Sequence, residues 1–241
     1  MLLKWNELPD QMKTEEVKPY YEILRRKRGS LVVKRTFDVL AASMMTVALA
    51  APMAIIAAAV KIDSKGPVIY RQERVTTYGR VFKIHKFRTM VDKADTVGPN
   101  VTVAGDSRIT KVGRILRKYR LDEFPQLFDV LKGDMTFVGT RPEAVKYVEK
   151  YTPEMWATLL LPAGITSEAS IRFKDEAEIL NAADDADKVY VEKILPIKMK
   201  YNLKAIEEFS MRNDFLTLFR TVAAVAGIEI NNKETKPTYE S

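Results

Sequence analysis

Residues 39–60 read VLAASMMTVALAAPMAIIAAAV, a run of 22 residues without a charge between Asp38 and Lys61. As one straight helix they would reach about 33 Å, close to the thickness of a bilayer's hydrocarbon core. Ser43 and Thr46 are its only polar side chains, so the run lacks the polar stripe of a helix at the edge of a soluble core. Two details argue against a simple span. Pro52 falls past the middle, where its ring and missing N–H break or kink a helix. Basic residues also lie on both sides: Arg25, Arg26, Lys27, Arg28, Lys34 and Arg35 before, Lys61 and Lys65 after. Positive flanks stay cytoplasmic, and a kinked helix that enters and leaves on one face satisfies both observations. The reading is a re-entrant helix over residues 34–62, broken at Ala51 and Pro52. A transmembrane span and a buried core helix are the alternatives, since the run is Ala-rich and only moderately hydrophobic. A secretory signal peptide is not expected, because a polar, charged stretch of more than thirty residues precedes the run.

Outward from this segment, residues 1–33 are polar with scattered aromatics (Trp5, Tyr20, Tyr21) and end in a basic cluster, which reads as an interfacial or poorly ordered leader. Residues 63–228 form the main soluble domain, and 229–241 a polar, frayed tail. Lys65-Gly66-Pro67 marks a turn. Val68-Ile69-Tyr70 and Val81-Phe82-Lys83-Ile84 read as short strands joined around Tyr78-Gly79, with His85 facing solvent. Residues 91–107, with Gly98-Pro99 and Gly105, read as a surface loop. Ile109, Val112, Leu116 and Tyr119 recur at helical spacing over Arg108 to Tyr119, and Leu121 to Leu131 continues as a second helix. Met135 to Val138 is a strand and Gly139 opens a loop. Glu143 to Tyr151, Pro153 to Leu160 and Asp187 onward read as helices, the last with a break at Pro196. Phe215, Leu218, Phe219, Val222 and Val225 form an apolar stripe ending near Gly227, read as core, with a membrane surface as the alternative. Asp184, Asp185 and Asp187 read as a solvated helix start, not a metal site. No internal repeat is visible. The expected fold is α/β, dominated by helices, with a small sheet.

The 241 residues carry 39 Lys+Arg against 32 Asp+Glu, a formal charge of +7, and 46% are apolar. That apolar fraction supports a sizeable core. Cysteine is absent and His85 is the one histidine. Disulfides, thiolate clusters, Cys nucleophiles and two-imidazole sites are excluded. Any chemistry falls to carboxylates, lysines and arginines, and the positive balance favours an anionic partner.

One stretch concentrates those groups. GRILRKYRLDEFPQL, residues 113–127, sets Asp122 and Glu123 after a helix bearing Arg114, Arg117, Lys118 and Arg120. Pro125 belongs in a first helical turn, so the acidic pair sits where one helix stops and another starts. Free N–H groups there favour phosphates, and an ionised Asp beside arginines stays available as a nucleophile or metal ligand. Alone, the same pattern is more often an N-cap with surface ion pairs. Three more motifs bring cations near turns: Lys83, Lys86 and Arg88 in KIHKFRTM, Arg141 in FVGTRPE, and Arg172 and Lys174 after PAGITSEASI. Arginine forks match phosphate geometry. The cations are not gathered on one helix face and no nucleic-acid motif is present, so a nucleic-acid partner is not expected.

Together these motifs resemble the bacterial sugar transferases, the monotopic polyprenol-phosphate phosphoglycosyl transferases that begin polysaccharide and glycoconjugate assembly. The likeness runs from about Lys34 to Ala226 through KRTFD, YRQERV, FKIHKFRTM, LRKYRLDEFPQL, GDMTFVGTRP and PAGITS, in that order. It implies a monotopic enzyme with a re-entrant hairpin and interfacial helices, held in the inner leaflet of the bacterial cytoplasmic membrane. Its active site, in residues 63–228, would face the cytoplasm. The implied reaction transfers a phosphosugar from a UDP-sugar to a polyprenyl phosphate, with undecaprenyl phosphate the expected one, and releases UMP. Asp122 would be the nucleophile, forming an acyl-phosphate intermediate, and Glu123 would hold Mg2+. Arg141 would bind a phosphate, with Arg117 and Arg88 as further contacts. Inner-leaflet lipid is an implied partner, and a homo-oligomer is left open.

Three departures stand out. The family's Ser-Pro at the hairpin break is Ala51-Pro52, its Pro-Arg-Pro is Thr140-Arg141-Pro142, and its Pro-Gly-Ile-Thr-Gly is Ala163-Gly164-Ile165-Thr166-Ser167. The extension before Lys34 exceeds that of the shortest members and is too small for the extra transmembrane helices of the largest. The competing reading is a membrane-anchored scaffold that binds anionic lipid through its basic surface.

Overall fold

The computed structural model describes residues 2–92, 94, 106–173, 176, 180 and 185–228. Gly98-Pro99, Gly105, Lys174, Asp184 and the 229–241 tail lie outside the described residues.

The N-terminal stretch is part of the core, against the expectation of a leader. Short 3-10 turns at Trp5–Glu7 and Asp10–Met12 lead into helix α1, Lys18–Arg26. Tyr20, Tyr21 and Leu24 fall on one face of α1, and Arg25 and Arg26 on the other. The buried face joins Leu8, Met12 and Val17 in a cluster with Val75, Leu160, Leu203, Ile206 and Phe209. Aromatics scattered through a charged segment bury cooperatively here because their partners come from distant parts of the chain.

Helix α2, Arg28–Ala48, and helix α3, Ala50–Asp63, form a pair bent by 62°. Among the described residues, no single helix is long and apolar enough to cross a membrane. The break falls at Leu49 (φ −92°, ψ 3°), not at Ala51-Pro52. The pyrrolidine ring of Pro52 clashes with the carbonyl four residues back. The chain therefore turns one step earlier, and Pro52 lies in the first turn of α3, where no donor is required.

The start of α2 is tied to the rest of the protein by the KRTFD residues. Lys34 Nζ pairs with Asp214 at 2.6 Å. Arg35 donates to the carbonyls of Val130 (2.7 Å) and Leu131 (3.1 Å). Asp38 accepts from Thr136 Oγ1 (2.6 Å) and the Phe137 amide (3.3 Å). Past Asp38 the apolar side chains turn outward, Met44 70%, Val47 79%, Ile55 70% and Ile62 86% exposed. That removes the alternative of a buried core helix.

Strands β1, Ile69–Val75, and β2, Val81–Phe87, pair antiparallel, with Gln72 opposite Ile84 and Tyr70 opposite Lys86. Both are longer than the sequence reading. His85 does not face solvent: its Nδ1 lies 2.6 Å from Asp129 Oδ1, and its amide donates to Asp129 Oδ2 at 2.9 Å. Helix α4, Lys111–Lys118, a 3-10 turn at Leu121–Glu123 and helix α5, Gln126–Lys132, follow. Strand β3, Met135–Val138, pairs parallel with β4, Ala163–Thr166, across a connection holding helix α6, Val145–Val148, and a 3-10 helix, Glu154–Leu159. Helices α7, Glu168–Arg172, α8, Ala186–Val189, α9, Leu195–Glu207, and α10, Met211–Val225, complete the chain.

A π turn, Tyr190–Ile194, stands before α9. Pro196 sits in the first turn of α9 and cannot continue a regular ladder from the preceding turn. Among the described residues the architecture is helix-dominated α/β with two small two-stranded sheets. The α10 stripe is not all core: Leu218 packs inward, whereas Phe219 (68%) and Val222 (69%) are exposed.

The loop after β3 meets β4 backbone to backbone. Gly139 donates to Thr166 O (3.0 Å) and Gly164 to Thr140 O (2.8 Å). A Cβ on Gly164 would lie 2.1 Å from Gly139 O. Gly164→Ala should therefore destabilise by about 3 kcal/mol, read by urea unfolding in detergent. Gly29→Ala, whose Cβ meets nothing within 4 Å, should change stability by less than about 1 kcal/mol.

Candidate active site

The acidic pair is placed by the end of α4. Thr110 caps this helix through Gly113 N (3.0 Å), and Gly113 lets it lie directly on the Thr89 backbone, where a Cβ would stand 2.0 Å from the carbonyl. After Tyr119 the chain reverses at Arg120, in the left-handed region (φ 57°). This conformation ends helices and is usually given to Gly. The following 3-10 turn buries Asp122 and Glu123 just before Pro125 and α5. The expected junction between two helices is what the structure contains.

Glu123 is surrounded by cations from three elements. Both Arg141 Nη atoms bond it, Nη2 to Oε1 and Nη1 to Oε2 at 3.3 Å. Lys86 Nζ donates to Oε1 at 3.0 Å, and Arg120 Nη1 stands 3.8 Å away. Burial opposes ionisation of Glu123, but Arg141 and Lys86 outweigh it and hold its carboxyl well below the usual range. Reciprocally, Glu123 pushes the Arg141 guanidinium up. Arg141 also donates to Ile165 O (3.2 Å), so the Thr140-Arg141-Pro142 loop is fixed from the β4 side.

Asp122 stands in the opposite condition. It is buried, and its Oδ1 has no hydrogen-bond partner among the described residues. Burial raises its carboxyl above the ordinary value, against the pull of Lys86. Two adjacent carboxylates thus differ in kind: one is held ionised as a structural counter-charge, and the other is left with a free oxygen.

Both open into a cavity of about 1050 Å3. One face of the β1–β2 sheet floors it, through Tyr70, Gln72 and Arg74 on one strand and Ile84 and Lys86 on the other. Arg117 lines it from α4, with Nε 2.8 Å from Thr89 Oγ1. Arg88 also lines it, but its guanidinium donates to Ser64 O (2.6 Å), Ser64 Oγ (2.8 Å), Val60 O (3.4 Å) and Pro67 O. Its geometry is that of a cap on α3 at the edge of the cavity. Arg172 pairs with Glu168 at 2.9 Å.

Sequence reasoning missed Gln72 and Arg74, and a buried network beyond them. There Glu143 accepts from Tyr190 (2.6 Å) and Lys198 (3.3 Å), and Lys198 also reaches Glu176 (3.1 Å). Alternation along YRQERV would have placed Tyr70, Gln72 and Arg74 on one face. Nothing local links Glu143 to Lys198. Among the described residues, no group of three or more His, Asp or Glu side chains is arranged to hold a metal ion.

The two carboxylates should respond oppositely to amide replacement. Glu123→Gln strips Arg141 and Lys86 of their counter-charge. It should lower stability by roughly 2–3 kcal/mol, below the cost for a fully buried pair because both partners are partly exposed. That loss should persist down to pH about 4, since the folded carboxyl titrates below the usual range. Asp122→Asn removes a charge whose burial is unfavourable, so it should raise Tm at pH 7. That gain should vanish below pH about 4, where Asp is protonated in both states. Calorimetric melts of the three proteins across pH 3.5–8 check both signs.

With this geometry stand the comparisons. The profile of a family described as bacterial sugar transferase matches residues 29–227. A UDP-N-acetylgalactosamine-undecaprenyl-phosphate N-acetylgalactosaminephosphotransferase of Aeromonas hydrophila is 35% identical over 198 residues, 80% of this chain and 43% of that protein. A UDP-glucose:undecaprenyl-phosphate glucose-1-phosphate transferase of Caulobacter vibrioides is 46% identical over 145 residues, 58% of this chain and 53% of its own. An Escherichia coli K12 protein of the same description is 36% identical over 196 residues, 79% of this chain and 39% of its own. The chain spans about half the length of these relatives or less. The profile runs from the start of α2 through the acidic pair to the end of α10, and the chain belongs to the bacterial sugar transferase family.

Proposed function

We propose that this protein transfers a sugar phosphate from a UDP-sugar to undecaprenyl phosphate and releases UMP, working at the cytoplasmic face of a bacterial inner membrane. The substrates are those in the names of the relatives above. The observation that carries the reading is Asp122: a buried carboxylate oxygen without a partner among the described residues, in a cavity lined by guanidiniums.

A carboxylate nucleophile divides the transfer into two displacements. An Asp122 oxygen attacks the phosphorus that bears the sugar, the bond to the UMP oxygen breaks, and UMP leaves with that electron pair. An oxygen of the lipid phosphate then attacks the same phosphorus. The bond to Asp122 breaks and the carboxylate is regenerated. Arg141, Lys86 and Arg120 place positive charge beside the reacting phosphorus, where negative charge gathers. Asp122 and Glu123 are the residues that would hold Mg2+, which takes one or two carboxylates together with phosphate oxygens. Two adjacent carboxylates suit that demand, although Glu123 would share its oxygens with Arg141 and Lys86. When bound, the ion would neutralise diphosphate charge.

The α2–α3 pair supports the membrane side of the reading. Its apolar residues stay exposed among the described residues, and its bend suits a re-entrant element. The outward side chains of α10 suit an interfacial helix.

Detergent-solubilised protein given UDP-glucose or UDP-N-acetylgalactosamine, undecaprenyl phosphate and Mg2+ should release UMP. Asp122→Asn should reduce release at least a thousandfold and abolish labelling of the protein by a sugar-phosphate donor. Full activity of that variant would refute the covalent route. The chain has no cysteine, so Val33→Cys and Lys65→Cys can be labelled singly in sealed vesicles. Both should react with an impermeant maleimide from the same face, whereas opposite faces would establish a span.

A further inference from the structure

The cavity's cations divide into those already neutralised and those that are not. Lys86, Arg120 and Arg141 share Glu123, Lys198 sits between Glu143 and Glu176, and Arg88 is used by carbonyls. Arg74 differs. Its Nε and Nη2 both donate to Gln72 Oε1, at 3.1 and 2.6 Å. Among the described residues it has no carboxylate within ion-pair distance. Burial pushes its guanidinium down, and Glu143 only partly offsets this. A half-buried, desolvated guanidinium held in one orientation by a neutral amide is a ready anion site.

Its position along the floor indicates which anion. The first residue of β1, Ile69, packs against α3 in a cluster with Val60 and Phe87. The last, Val75, lies in the opposite cluster with Leu24 and Leu160. Arg74 is therefore about 17 Å along the strand from the apolar helix pair. It borders Glu143 and Tyr190 on the side away from α3. A lipid phosphate is tethered to the membrane and enters from the α3 end, where Arg117 stands. A nucleotide comes from water and has no such restriction.

We infer that Arg74, oriented by Gln72, binds the phosphate of the donor that departs as UMP, so that the donor lies with its nucleotide pointing away from the α2–α3 pair. This rests on the transferase reading and adds to it the direction of the donor and a residue that separates donor from acceptor.

The test uses the full chain in detergent, with UMP as the probe for calorimetric binding and KM measured separately for UDP-sugar and undecaprenyl phosphate. Arg74→Ala should weaken UMP binding roughly tenfold to a hundredfold, the range for one charged hydrogen-bonding group. It should raise the KM for UDP-sugar comparably and leave the KM for undecaprenyl phosphate unchanged. Gln72→Leu, which frees the guanidinium without removing it, should give a smaller loss of the same kind. Arg74→Lys keeps the charge and carries the test should the alanine variant fail to fold. Unchanged UMP affinity in these variants, or a rise confined to the KM for undecaprenyl phosphate, would overturn the assignment. If the wild type binds UMP but releases none from any UDP-sugar, the transferase reading falls, while Arg74 is still judged on UMP affinity.

Discussion

A carboxylate that cannot leave its cations organises this molecule. Glu123 draws Arg120 from its own turn, Lys86 from β2 and Arg141 from the loop after β3. Those three segments all line the cavity, so one buried anion ties them together there. Three cations around one carboxylate leave net positive charge, and that residue of charge is what an anionic reactant would meet. The same burial disfavours ionisation of the neighbouring Asp122. Stability is thereby concentrated in one acid, while the other keeps a buried oxygen without a hydrogen-bond partner among the described residues.

The apolar helix pair and this cavity are connected by polar contacts at both ends of the pair. At its start, Lys34, Arg35 and Asp38 grip α10, the end of α5 and β3. At its finish, Arg88 collects the last carbonyls of α3, and Asp63 accepts from Val112 N at the start of α4 (2.9 Å). One further turn of α4 brings Arg117, and the next reversal brings Asp122. The acidic pair is thus only a few bonded contacts from the greasy surface. The departure from Ser to Ala at position 51 costs this arrangement little, because the chain breaks at Leu49 and Pro52 needs no substitute hydrogen bond there.

Much of this was legible in the residues. The uncharged run, its proline and its flanking charges announced a bent apolar helix. The Arg-rich helix before Asp122-Glu123 and the proline after them announced a helix junction bearing an acidic pair. The order of short motifs carried the family. Elements of clear period, such as α4 and β3, were found near their bounds. The left-handed turn of Arg120 within that junction was not readable, because such a conformation signals itself through Gly and none is there.

What the chain determined alone was local: where helices start and stop, which segments avoid charge, and which cations lie beside which acids in sequence. Tertiary structure decided every pairing over long range. It buried the supposed leader against Leu203 and Phe209, turned His85 onto Asp129, took Arg88 for α3, and gave Arg74 the neutral amide of Gln72 as its partner. The physical reason is that a side chain's charge state and partner depend on what surrounds it in space. Local sequence specifies backbone preference, but desolvation and Coulomb attraction act only after distant segments have met.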